Sequence, residues 1–285
     1  MRYFITLSYN GTRLSGWQVQ PNAQTVQAIL EDALSKLLRE EISLTGAGRT
    51  DAGVSAIGYT AHFDAAGAFD AGEIGYKLNA ILPPEIVIHS IQAVDSEMHA
   101  RFSARRREYT YFLHRCKDPF AAGFSYFCGY DLDFDLMNKA AASLLGTHDF
   151  SCFEKTGGNS KTSICTIYEA AWHPYTPTHI SLMDFGQRSG SSAPALLSRR
   201  AAGPRMDVAG IEAAGRCERD YWYFRIAADR FLRNMVRAIV GSLIEVGRGK
   251  RTLVSFTSLP DSGSTRSEAG ESVPGHPLFL SRIDY

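Results

Sequence analysis

The densest grouping of glycine with ionisable residues is Gly46-Ala47-Gly48-Arg49-Thr50-Asp51-Ala52-Gly53-Val54. A dinucleotide-binding fingerprint would need glycine where Asp51 stands, and a phosphate-binding loop of the Walker type would need a following Gly-Lys-Ser/Thr. What remains is a flexible backbone carrying an arginine and an aspartate two positions apart. In an extended segment Arg49 and Asp51 point the same way, so the guanidinium can hold the carboxylate ionised by charge and hydrogen bonding. The same spacing also suits a turn with an Asp cap and a surface ion pair, and spacing alone leaves both readings open.

Two further segments concentrate positive charge. Six basic residues, Arg101, Arg105, Arg106, Arg107, Arg115 and Lys117, face only Glu108 in their stretch. Seven more, Arg225, Arg230, Arg233, Arg237, Arg248, Lys250 and Arg251, face Asp229 and Glu245, so each segment has an excess of five. The chain as a whole has 30 Lys and Arg against 30 Asp and Glu. Its zero net charge is therefore an average over a patterned chain and does not exclude an anionic partner. Arg101 and Arg105 to Arg107 are expected to follow phosphates, giving register rather than sequence choice.

The elements that must position these groups are partly visible. Strand alternation covers Arg2 to Tyr9, ending in the turn signal Asn10-Gly11, and helical spacing covers Thr25 to Arg39. Further strands are expected at Ile42 to Leu44, Tyr59 to Phe63, Ile86 to Ile91, Glu108 to His114, Ser163 to Trp172, His179 to Met183, Tyr221 to Ala227 and Leu278 to Asp284. Helices are expected from Asp135 to Leu145 and from Arg230 to Val246. At about 100° per residue, Arg230, Arg233 and Arg237 would share an arc of about 60° on that last helix, opposite its apolar face. Strands and helices interleave without a βαβ rhythm, which predicts an α+β fold with mixed, largely antiparallel sheets.

With 285 residues the chain is long enough for about two domains, expected at 1–105 and 106–285. Residues 186–219 and 258–272 read as long surface loops. Five widely spaced cysteines without Cys-x-x-Cys indicate neither a disulfide framework nor a zinc ribbon, and the scattered histidines predict no metal. The first residues open directly into a strand pattern, and no apolar run approaches membrane-spanning length, so a cytoplasmic location is expected.

Gly48-Arg49-Thr50-Asp51-Ala52-Gly53-Val54 resembles the signature of the tRNA pseudouridine synthase A family. Six further stretches resemble that family in order and spacing: Gly16-Trp17-Gln18 with Thr25-Val26-Gln27; Leu78-Asn79 with Leu82-Pro83; His99 to Ala104; Arg107-x-Tyr109-x-Tyr111; Gly146-x-His148-Asp149-Phe150; and Phe231 to Gly241. The resemblance implies the pseudouridine synthase fold, two α/β subdomains flanking a basic cleft, and isomerisation of uridine to pseudouridine without a cofactor. By it Asp51 is the nucleophile, Arg49 helps displace the target base, Tyr109 stacks on the uracil, and Arg237 faces the catalytic carboxylate. It further implies a tRNA substrate modified in the anticodon arm, around nucleotide positions 38 to 40, and a homodimer. Arg107, Arg230 and Arg233 are expected on the RNA backbone.

This sequence departs from the family where Ser55 replaces the usual His and Asn10 the usual Asp, which changes contacts around the nucleophile without removing it. Two competing functions remain. A non-catalytic RNA-binding protein would not need Asp51, and an Asp-dependent nucleoside hydrolase would show little salt dependence of binding.

Overall fold

A computed structural model describes residues 1–155, 157, 162–181, 220–261, 263 and 265–285. Ten strands form one mixed sheet, and the helices pack on one of its faces. In chain order the elements are β1 (Arg2–Tyr9), α1 (Val26–Leu38), β2 (Thr45–Gly46), β3 (Ser55–Asp64), α2 (Ala71–Ile81), β4 (Ile86–Val94), β5 (Arg106–His114), β6 (Tyr126–Phe127), α3 (Phe134–Ala142), β7 (Gly146–Asp149), β8 (Ile164–Pro174), β9 (Tyr221–Ala228), α4 (Met235–Gly247), α5 (Leu253–Thr257) and β10 (Leu278–Asp284). The strand order is β4-β1-β3-β10-β5-β9-β8-β7, with β2 paired to β3 and β6 to β5.

The C-terminal strand makes the architecture continuous. β10 runs parallel to β3 at Phe279 and Leu280, and antiparallel to β5 from Leu278 to Asp284. The division expected at residue 106 coincides with the start of β5, and the sheet runs across it through β10. Period-2 alternation sets the two faces. In β5, Tyr109, Tyr111 and Leu113 are buried on the helical face, whereas Glu108, Thr110 and Phe112 are only partly covered on the other. One hydrophobic core joins both halves, from Ile5, Leu7 and Leu30 to Tyr111, Phe224, Met235 and Ile239.

Most expected elements are present; three of them differ, and α2, α5 and the short strands β2, β6 and β7 appear beyond those expected. Ile42 to Leu44 is not a strand, because its buried alternation serves α1: the Ile42 N–H donates to Ser35 Oγ and that of Leu44 to Glu31 Oε1. The strand expected at His179 to Met183 is contradicted where it is described, since residues 178–181 are helical and the N–H groups of Ile180 and Ser181 both donate to Pro177 O. Positions 182 and 183 lie outside the described residues. The helix expected from Arg230 begins only at Met235, because Asn234 adopts a left-handed conformation (φ 65°) that interrupts helical propagation. α2 was not expected: Gly72 and Gly75 dilute its pattern, although Asp70 caps it by accepting from Glu73 N.

The loop expected at 186–219 lies outside the described residues. The stretch 258–272 is irregular where described, yet it is not a surface loop throughout: Leu259, Ala269 and Gly270 are buried against α4 and its surroundings. No helix among the described residues is long and apolar enough to cross a membrane.

Candidate active site

The Asp51 loop is held by backbone on two sides. The Trp17 N–H donates to Thr50 O (3.3 Å) and the Gly53 N–H to Leu14 O (3.2 Å), so the segment after β1 braces the loop from below. Thr50 turns inward, its Oγ1 sharing a 2.8 Å hydrogen bond with the buried Tyr9 hydroxyl. The Tyr59 hydroxyl donates to Gly48 O. Close approach explains the glycines: a Cβ on Gly16, whose φ is already +85°, would lie 2.3 Å from Thr50 O, and one on Gly275 would lie 2.6 Å from Ala52 O. Gly53, at φ +81°, completes the turn just after Asp51.

The partner of Asp51 comes from the far half of the chain. Arg237 Nη1 donates to Asp51 Oδ2 at 3.1 Å, with the two side chains 22% and 33% exposed. That exposure leaves the carboxylate reachable. The guanidinium is aimed by its other nitrogen, since Nε donates to Val273 O at 2.7 Å. Val273 in turn donates its N–H to Arg237 O (3.3 Å), so the strand-leading segment and α4 clasp each other at this residue. Arg49 is not the partner. It is exposed, and among the described residues it makes no hydrogen bond or ion pair, so the expected Arg49–Asp51 pairing is replaced by Arg237–Asp51. The turn after Thr50 breaks the extended alternation that would have aligned them.

Tyr109 presents its ring nearby. It is buried in β5 and packs edge-on against Phe231, with ring centroids 5.1 Å apart at 89°. Burial pushes its hydroxyl up to about 12, Arg107 opposing that shift and the Asp51 charge adding to it. It is therefore a neutral phenol at neutral pH. A carboxylate, a guanidinium and an aromatic ring thus converge from three elements distant in sequence.

A sequence model of the family described as tRNA pseudouridine synthase matches residues 5–103 and 140–285. The chain belongs to this family. The tRNA pseudouridine synthase A of Porphyromonas gingivalis is 41% identical over 286 residues, covering all of this chain and 97% of that protein. That of Bacteroides thetaiotaomicron is 40% identical over 284 residues, covering all of this chain and 90% of its own length. A more distant relative, the tRNA pseudouridine synthase A of Bacillus licheniformis, is 34% identical over 289 residues and 99% covered. Arg107 and Tyr109 fall between the two stretches matched by the family model, while the relatives align across them.

The remaining expected site residues separate into two kinds. Arg107, expected on phosphate, is turned inward: its Nη1 donates to Asp229 O (2.7 Å) and Ala104 O (3.3 Å), and its Nη2 to Arg101 O (2.6 Å) and Ala47 O (3.1 Å). Carbonyls take four of its five N–H donors, so Arg107 is a strut between the Asp51 loop and the turn before α4. Arg230 and Arg233 do not lie on α4, as the corrected helix start requires. They sit in the turn preceding it, and their side chains have no partner among the described residues.

Arg266, in the stretch Arg266-x-x-Ala269-Gly270 that also resembles the family, positions the neighbouring turn, a role its spacing does not predict. Its Nη1 donates to Gly270 O (2.9 Å) and its Nη2 to Ser272 Oγ (2.7 Å), which also accepts from Asn234 Nδ2 (2.6 Å). These bonds shape the turn that delivers Val273 O to Arg237. The two family departures are absorbed locally: Ser55 Oγ accepts from Gly11 N, and Asn10 Oδ1 accepts from Thr12 N. Among the described residues no group of three or more His, Cys, Asp or Glu is placed to hold a metal.

Proposed function

We propose that this chain isomerises uridine to pseudouridine in tRNA, acting in the anticodon arm around nucleotide positions 38 to 40, with Asp51 as nucleophile. The observation that carries this reading is the Asp51–Arg237 pair, 3.1 Å apart and open to solvent, beside the Tyr109 ring. The reaction breaks the N1–C1′ bond, turns the uracil while it is bound, forms a C5–C1′ bond, and releases the C5 proton as N1 takes one up. A carboxylate serves either route to bond cleavage, addition at the sugar C1′ or at C6 of the base, and both need it ionised and close to the glycosidic bond. Tyr109 offers the extruded base a stacking surface, a contact worth roughly 1–3 kcal/mol against a flipping cost of similar size. Arg49, exposed at the rim of the loop, is free to occupy the space the base leaves.

In this reading residues 1–105 supply the nucleophile, residues 106–285 supply Tyr109 and Arg237, and the working unit is a cytoplasmic homodimer, a state that sedimentation would check. The deciding experiment incubates the protein with unmodified tRNA and maps pseudouridine, with Asp51→Asn beside it. The variant is expected to bind tRNA as the wild type does and to form no product. Appreciable turnover by Asp51→Asn would sink the assignment.

A further inference from the structure

The turn His99 to Ser103 is rigid and yet presents a bare phenylalanine. Its backbone is fixed from within: His99 Nδ1 accepts from the N–H groups of both Arg101 (3.1 Å) and Phe102 (3.2 Å), Ser103 N donates to His99 O (2.9 Å), and His99 N donates to Ser103 Oγ (3.0 Å). It is also fixed from outside. Ala100 N donates to His62 Nδ1 (3.1 Å), the Tyr285 hydroxyl donates to Ala100 O (2.9 Å), and Arg107 Nη2 holds Arg101 O (2.6 Å). So many bonds around five residues would be enough to bury an apolar side chain, yet Phe102 is 75% exposed.

The surroundings of that ring indicate what it meets. Its inner side is backed by the His99 ring at 4.3 Å, and the Arg101 guanidinium carbon lies 5.5 Å from its centroid. Arg101, beside the ring, and the exposed Arg105, three residues on, have no carboxylate partner among the described residues. A protein-docking patch is a contiguous apolar area. Here instead a single aromatic ring stands beside the Arg101 cation in a stretch with a second unpaired arginine, the combination that grips an unpaired base and its phosphates. The position fits as well: the guanidinium that holds Arg101 O also holds Ala47 O, four residues before Asp51, and Asp229 O, next to Arg230.

We propose that Phe102 is a stacking platform for an unpaired tRNA base flanking the target uridine, with Arg101 and Arg105 on the adjoining phosphates. It rests on the reading of the substrate as RNA. The ring is already exposed and its turn already ordered, so the base stacks without a conformational cost to the protein.

The test measures binding of unmodified tRNA, of an isolated anticodon stem-loop and of a fully paired RNA duplex, together with pseudouridine formation. Phe102→Leu is expected to weaken the first two by about 5- to 100-fold, to leave the duplex unchanged, and to alter single-turnover conversion at saturating enzyme much less. Phe102→Trp is expected to restore affinity, and its added indole emission to be quenched by the stem-loop. Wild-type affinity of Phe102→Leu for the stem-loop overturns the proposal, as does equal weakening on the duplex. A changed sedimentation coefficient with unchanged RNA affinity also overturns it, by assigning the ring to a subunit interface. If the wild type forms no pseudouridine while Phe102→Leu still loses stem-loop affinity, the catalytic reading fails and the platform stands.

Discussion

The two basic segments carry the same formal excess of five charges and spend most of it alike, but differ in the one arginine that each sends toward the Asp51 loop. In the first, Arg106 is spent on Glu108 and Glu169, Arg115 on Asp131, and Arg107 on four backbone carbonyls. In the second, Arg225 faces Glu108 and Glu169, Arg251 pairs with Glu245, Arg248 lies 3.4 Å over the Tyr130 ring, and Arg237 meets Asp51. Arg107 and Arg237 make the contrast plain. Arg107 is surrounded by neutral acceptors, so its charge is hydrogen-bonded but not cancelled, and it adds positive potential behind the site. Arg237 is paired with the carboxylate it serves, so its charge is cancelled at rest. One ties the Asp51 loop to the turn before α4, and the other faces the Asp51 carboxylate.

Substitution should separate these roles. Arg237→Met removes the charge facing Asp51 from a site where donors are pre-aimed, and the single-turnover rate is expected to fall about 100- to 1,000-fold with tRNA affinity little changed. The fold should survive, since the principal loss besides the ion pair is one donor to Val273 O, worth about 1 kcal/mol. An Arg237→Met protein that converts tRNA at the wild-type rate would break the contrast at its catalytic end.

Arg107→Met is expected to show the reverse order of effects. It strands four carbonyls contributed by the Asp51 loop, the 101–104 turn and the end of β9, and unfolding in urea should report a loss of about 2–4 kcal/mol. Lysine cannot replace it, because a single ammonium lacks the planar fork that reaches three segments at once. Activity then declines through misplacement of the loop, and measured below the melting transition it should decline less than in Arg237→Met. A variant as stable as wild type but defective only in tRNA binding would return Arg107 to the phosphate role expected from the sequence.

The same pair shows what the sequence could and could not tell. Asp51, Tyr109 and Arg237 each sit in a motif that carries the family resemblance, and the structure brings the three near one another. Arg107 is expected on phosphate and instead meets four carbonyls, because a run of arginines does not say whether a guanidinium faces solvent or carbonyls. The start of α4 was misplaced because Leu232, Met235 and Val236 keep helical spacing across Asn234, whose left-handed backbone is a tertiary outcome: its side chain is held by Ser272, 38 residues on. Most hidden of all is the pairing of β10, whose bounds Leu278–Asp284 the sequence does show. Its seat between β3 and β5 depends on contacts such as Thr110 Oγ1 to Ser281 Oγ, 171 residues apart, and no local periodicity encodes a pairing at that range.

The smallest expected effect tests where the unspent charge lies. Arg101 and Arg105 remain free in the first segment, Arg230 and Arg233 in the turn before α4, all without carboxylate partners among the described residues. If each reaches a phosphate, neutralising one pair as a double Gln variant should flatten the slope of log K against log salt by about 1.4–1.8, that is 0.7–0.9 per contact. Equal flattening by the two pairs means that RNA spans both segments, on either side of the Asp51–Arg237 pair. Flattening by Arg230→Gln with Arg233→Gln alone would confine the RNA to the turn before α4 and remove the phosphate contacts on which the Phe102 platform depends. Titration of tRNA binding between low and moderate salt decides this, because the slope counts contacts and is blind to the sequence of the RNA.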